Sequence, residues 1–240
     1  MKKYELTSET KVINGVEIHR IKALKSFGNI NEGDLGGWIE SEKNLSQDGN
    51  AWVYGHATVY GNATVYGHAT VGENATVYDN AVVRENATID GNARVGGNAR
   101  VGGKAMVNDN SMVYGNTTVY DNAIVCGNAV VSENATVGGK AWVGRNARVG
   151  GHARVEGEAW VCGNATVRKT ADYIVFKNWW SSGRYFTWTR SNNKWKVSCF
   201  YGSGEELIAK AYKDSEKSGR EYERVVKYVE SILQEENNNK

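Results

Sequence analysis

A Val or Ile stands at every sixth position from Val53 to Val167, twenty times in succession without an insertion. A period of six matches neither the turn of a helix nor an unbroken alternation, so each phrase must be a very short strand followed by a corner. Two residues before each aliphatic stands a small one, Ala in eighteen repeats and Ser111 or Thr117 in the other two. Residues two apart in a strand share a face, which puts the small residue and the aliphatic inside and the Thr, Arg or Trp between them outside. Three residues before the aliphatic, fourteen repeats carry Asn, and the preceding position is mostly Gly, with Asp or Glu as the usual substitutes. Gly and Asn accept the positive φ that a tight corner needs. Strand and corner on one period make a coil.

The pattern [Val/Ile]-x-Gly-Asn-Ala-x resembles the hexapeptide repeat of left-handed β-helix proteins, in which three hexapeptides make one triangular coil. The resemblance covers about half of the chain and implies the hand of the coil, against the usual right-handed crossover. One departure is that the residue after the aliphatic is often Tyr (Tyr54, Tyr60, Tyr66, Tyr78, Tyr114, Tyr120). Strands about 4.8 Å apart predict a rod on the order of 30 Å long.

The flanks do not repeat. Residues 1–47 read as an N-terminal β cap over the open end of the coil: Thr10 to Leu24 is a hairpin around Asn14-Gly15, and NEGDLGGWIE is turn-rich. Gly33 to Gln47 resembles the N-terminal segment of uncharacterised β-helical proteins of bacteriophages and bacteria. Residues 48–168 are the rod, and residues 169–240 form a small α+β domain. There, Tyr173 to Lys177, Arg184 to Arg190 and Lys194 to Phe200 alternate as three strands. Capping boxes at Ser203/Glu206 and Ser218/Glu221 open two helices, the second bearing the stripe Tyr222, Val225, Val226, Val229, Ile232 and Leu233. Residues 235–240, EENNNK, read as frayed. The fold class is therefore mainly β: a left-handed parallel β-helix with a β cap and an α+β head.

A formal net charge of +2 and the lack of any recognisable nucleic-acid motif argue against nucleic-acid binding. No apolar run suggests a signal peptide or a membrane span, and Cys126, Cys162 and Cys199 form no CxxC pair, so a reduced cytoplasmic setting is expected, the host cytosol if the chain is phage-encoded. His56, His68 and His152 occupy the corner slot that Asn fills elsewhere, with no orienting partner in view, so no catalytic residue, metal or cofactor is expected. One face of the coil carries Trp52, Met106, Ile124, Trp142 and Trp160 outward, and such a stripe marks an interface. The family assembles as trimers through such faces, which implies a homotrimer here; the rival is that the head covers part of the stripe.

Basic residues recur in NARVGGNARVGG and NARVGGHARVEG, which place Arg94 and Arg100 fifty-four residues before Arg148 and Arg154 and make these four candidates for binding an anionic ligand, the alternative being that arginine is simply a tolerated outward residue. In the head, Phe186 and Trp188 share a face with Trp195 and belong to its core, which leaves Trp179 and Trp180 with Arg184, Arg190, Lys194 and Lys196 as candidates for stacking a ring while holding an anion. The reading is a non-enzymatic binding protein for a small anionic aromatic ligand, such as a nucleotide or a nucleotide-derived signal. The alternatives are an acyl or sugar-nucleotide transferase of the hexapeptide type, or a structural adaptor.

Overall fold

The computed structural model of the chain describes residues 2–238. Its centre is a three-faced parallel β-solenoid of twenty two-residue strands, β4 (Trp52–Val53) to β23 (Thr166–Val167). Each strand pairs in parallel with the strand eighteen residues away, Thr70 with Thr88 and Arg148 with Thr166, so successive hexapeptides pass to the next face. The first face carries Trp52, Thr70, Thr88, Met106, Ile124, Trp142 and Trp160. The second runs from Thr58 to Thr166 and the third from Thr64 to Arg154. Every Ala and aliphatic of the repeat is buried, and the three faces meet in one continuous core. A face only two residues wide leaves room only for a small residue, Ala, Ser or Thr, beside each Val or Ile.

The corners explain the Gly/acid alternation. Glu85, Asp109 and Glu133 take positive φ like their glycine counterparts, and each acid accepts the amide N–H of the glycine one coil on: Asp79 from Gly97 at 2.9 Å, Asp109 from Gly127 at 2.8 Å, Glu85 from Gly103, Glu133 from Gly151. An acid is never stacked directly on another. Two corners also carry ladders in which each Asn amide donates to the Asn one coil on, as in Asn80 to Asn98 to Asn116. Tyr at the position after the aliphatic is accommodated by glycine: Tyr78 lies over Gly96 and Tyr120 over Gly138, where a Cβ would collide with the ring.

The N-terminal hairpin is longer than expected. It comprises β1 (Tyr4–Ile13) and β2 (Val16–Ala23), with Asn14 at φ 51° and Gly15 at φ 81° forming the tight turn. The segment read as turn-rich contains a strand, β3 (Leu35–Ile39), which pairs antiparallel with β2 and parallel with Thr58 and Val59 of the coil. Gly36 and Gly37 permit this, since a Cβ at either would lie 2.6–2.7 Å from the coil beneath. Ile39 pairs with Val59 and Leu45 with Val65, so coil register begins before the first Val-x₅-Val repeat. The cap closes over Trp52, which is 1% exposed and meets the rings of Tyr4 and Phe27.

The head is a four-stranded antiparallel sheet: β24 (Tyr173–Lys177), β25 (Tyr185–Thr189), β26 (Lys194–Val197) and β27 (Phe200–Gly202). The fourth strand replaces the end of the expected third, because Ser198 turns back at φ 48°. Helix α1 (Gly204–Asp214) begins at the expected box, with Ser203 and Glu206 bonded reciprocally. Helix α2 (Glu216–Asn238) begins three residues earlier than a Ser218 cap predicts: Ser215 Oγ accepts the Ser218 amide and opens the helix instead. The segment read as frayed continues α2 to Asn238, with Glu236 paired to Arg190; positions 239 and 240 lie outside the described residues. No helix among the described residues is long and apolar enough to cross a membrane.

Candidate site at the junction of head and solenoid

Alternation along the head strands gives each side of the sheet a different neighbour. Phe186, Trp188 and Trp195 turn toward α1 and α2 and form the head core, joined by Trp180 and Tyr222. Tyr173 and Val175 turn the other way and pack on the solenoid core. Polar bonds complete the docking: the Trp160 amide donates to Thr187 Oγ1 at 2.9 Å, the Thr166 amide to Ser191 Oγ at 2.7 Å, and the Tyr173 hydroxyl to the Arg154 carbonyl at 2.8 Å. Tyr201 lies over Gly163, the corner glycine of the last coil.

This docking creates a cleft of about 440 Å³ lined by Glu158, Trp160, Gly183, Arg184, Tyr185 and Ser198. A second cavity of about 290 Å³ lies within the head, between the 178–184 loop, the β26–β27 turn and the two helices. Arg184 and Ser198 line both. Their position is locally enforced. Buried Asn178 is bonded to the Tyr222 hydroxyl at 3.0 Å and accepts the Ser181 amide at 3.0 Å, and its carbonyl accepts the Gly183 amide at 2.8 Å, which holds the loop leading into Arg184. Arg184 Nη1 donates to Ser198 Oγ at 3.1 Å, and Lys196 Nζ donates to the Ser198 carbonyl.

The cleft lining sets one cation, Arg184, against one carboxylate, Glu158. Among the described residues neither Arg184 nor Lys196 has a carboxylate within ion-pair distance. Lys196 Nζ lies 4.7 Å from the centre of the Trp160 ring, whose edge meets Trp142 at 4.8 Å between centres. Burial lowers the Lys196 pKa, opposed by the nearby thiols of Cys162 and Cys199. Burial also pushes the Cys162 thiol up, although Lys196 and Arg145 pull against it. Glu158 is engaged by Lys140 at 3.1 Å, so it presents a partly neutralised carboxylate to the cleft.

Of the residues singled out from the sequence, Arg184 and Trp160 line the cleft, while Lys196 lines neither cavity and adjoins the cleft through the Ser198 carbonyl and the Trp160 ring. Trp180 is in the head core, 8% exposed, against Phe186 and Tyr222, and so is not open to a ligand. Trp179 is 71% exposed on the loop and lines neither cavity. Arg190 is at the far end of β25, bonded to Glu236 and to the Ala171 carbonyl, and Lys194 begins β26 opposite Thr189. Arg94 and Arg148 sit on the second face and Arg100 and Arg154 on the third, each pair three coils apart, about 14 Å, so they form no single site. The expected outward stripe is divided: Trp52 is sealed beneath the cap and Trp160 adjoins the head, leaving Met106, Ile124 and Trp142 outside, with Met106 40% and Trp142 37% exposed.

His56, His68 and His152 lie on three different corners of the prism, and among the described residues no group of three or more His, Cys, Asp or Glu could hold a metal ion. Tyr185, Ser198, Glu158 and Gly183 went unnoticed in the sequence. Their only local signal was the Gly183 turn, and nothing in the residue order says that the head sheet lies against the last coil.

The repeat, the eighteen-residue coil and the buried Ala/Val ladder define a hexapeptide-repeat parallel β-solenoid protein with a capping head. The family described as YdcK Beta solenoid repeat matches residues 51–67, 59–73 and 147–163. A protein of Escherichia coli (strain K12) described as the uncharacterized acetyltransferase YdcK is 34% identical over 62 residues, which is 22% of this chain and 19% of the relative. The chain thus matches about one fifth of that relative's length.

Proposed function

We propose that this protein is a binding protein in which the solenoid is a scaffold and the head–solenoid cleft captures a small anionic ligand bearing a planar ring, of the nucleotide class. The observation that carries the reading is the cleft itself: a concave space of about 440 Å³ in which Arg184, which has no ion pair among the described residues, stands with the exposed ring of Tyr185 and with Trp160. A guanidinium supplies directed donors to a phosphate, and neighbouring rings supply stacking surface. Isothermal titration with the four ribonucleoside 5′-monophosphates tests it. Binding to the intact chain that falls at least tenfold in Arg184→Met supports the reading, and no heat from any of the four overturns it.

A second reading is a transferase, motivated by the description of the Escherichia coli relative. The unbroken coils from Val53 to Val167 extrude no loop, and the three corner histidines are dispersed, so a histidine-based version has no assembled constellation to act with. We further propose that self-association uses the Met106–Ile124–Trp142 strip on the first face and gives a homotrimer; sedimentation velocity returning a monomer at micromolar concentration would remove it.

A further inference from the structure

The cleft and the head cavity are separate spaces with a common wall, and that wall consists of Arg184 and Ser198. Ser198 holds a left-handed backbone, φ 48°, a conformation that residues with a Cβ rarely adopt. Two cations secure it: Lys196 at its carbonyl and Arg184 at its hydroxyl. An arginine has five N–H donors; with one of them directed at Ser198 and, among the described residues, no ion pair to Glu158 of the cleft or Asp214 of the head cavity, the guanidinium can serve a group on either side. The head cavity differs in character from the cleft. Its floor is apolar, formed by Val197, Phe200, Leu207 and Ala211, and its rim carries Lys210 and Asp214. Opposite charges around an apolar floor do not suit a second phosphate. They suit a planar heterocycle with donors and acceptors on its edge, whose faces meet apolar groups.

We propose that the head cavity is a second subsite, and that the ligand has two parts joined by a phosphate or diphosphate: one ring in the cleft beside Tyr185, the linker at Arg184 in place of the Ser198 hydroxyl, and a second ring over Leu207 and Phe200. This rests on the nucleotide-class reading of the cleft and specifies the ligand as a dinucleotide rather than a mononucleotide. Bridging two subsites through one linker makes the second contact intramolecular, so affinity rises well above that of either half.

The probes are the four ribonucleoside 5′-monophosphates and the matching symmetric 5′,5′-dinucleoside diphosphates, titrated calorimetrically into the full chain. The expected result is that at least one dinucleotide binds tenfold or more tightly than its own monophosphate. Cys199→Trp, at an exposed position lining the head cavity, should block that space, and Lys210→Glu should disturb its rim. Both should bring the dinucleotide down to the affinity of the monophosphate while leaving the monophosphate within about twofold of its original value. Dinucleotide binding no tighter than monophosphate binding, or unchanged in both variants, overturns the second subsite and leaves the cleft reading standing. Absence of binding by every probe removes both.

Discussion

Lys196 of the head rests its ammonium 4.7 Å from the centre of the Trp160 ring on the first face of the solenoid. A cation over an indole is worth about 0.5–2 kcal/mol depending on how far it is desolvated, and here it joins the two parts of the molecule that border the cleft. Trp160→Ala removes the ring and its edge contact with Trp142 and should weaken docking by about 2 kcal/mol. Hydrogen exchange is expected to accelerate in residues 185–197 and to remain unchanged in the coils before Met106. Uniform acceleration along the whole solenoid would mean that head and rod unfold as one unit.

The corner alternation predicts an epistatic test. Gly103 lies between Glu85 and Asp121 on one corner, and a Cβ there would sit 2.6 Å from the Asp121 amide nitrogen. Gly103→Asp places three acids on adjacent coils about 4.8 Å apart and should cost about 2 kcal/mol in denaturant unfolding. Adding Glu85→Gly and Asp121→Gly restores an isolated acid and should recover most of the loss. Failure of the triple variant to recover would show that the penalty lies in backbone strain at 103 alone.

Two inward hydroxyls should respond in opposite directions. Thr117 Oγ1 is buried without a hydrogen-bond partner, whereas Ser111 Oγ donates to the Asn108 carbonyl at 2.7 Å. Thr117→Val keeps the shape, removes the unpaired hydroxyl and should stabilise by about 1 kcal/mol, while Ser111→Ala should destabilise by about 1 kcal/mol. Denaturation midpoints measured side by side decide the signs.

At the opposite end, Lys3 is 1% exposed beneath the cap and donates from Nζ to the Ala51 carbonyl at 2.8 Å. Burial lowers its pKa from 10.5 to about 8, opposed by Asp48 and assisted by Lys25. Below pH 8 both folded and unfolded chains hold the proton, and the folded state bears the cost of the buried cation. Between about pH 8 and 10.5 the folded state has released the proton that the unfolded chain still binds, so this group makes stability rise with pH, by at most about 3 kcal/mol. Tyr4, whose pKa burial raises, acts in the opposite sense above its ordinary value of 10. Thermal unfolding between pH 8 and 10 should therefore lose its upward component in Lys3→Met, and a slope identical to that of the parent would refute the assignment.

Much of the rod was legible because its rule is local. A six-residue period with Ala and Val two apart places every strand, its inward side and its corner, and the strands found from Trp52 to Val167 follow that spacing throughout. The Asn14-Gly15 hairpin and the Ser203 cap were equally local. The strand at Leu35–Ile39 was hidden because two glycines, which ordinarily weaken strands, are there to let the backbone lie against Trp52 and Ala57. Trp52 and Trp160 occupy equivalent positions of the same repeat, yet one is sealed by the cap, one adjoins the head, and Trp142 between them stays half-open.

Residue order by itself determined the coil, its three faces and the chemistry of its corners, because hydrogen bonding and packing there involve residues separated by one fixed interval. Which tryptophan is covered, and that Arg184 and Ser198 come to divide two cavities at the last coil, was decided only by tertiary docking. That docking depends on the complementary shapes of a head and a rod end whose contacting residues share no period, so no spacing in the sequence carries it.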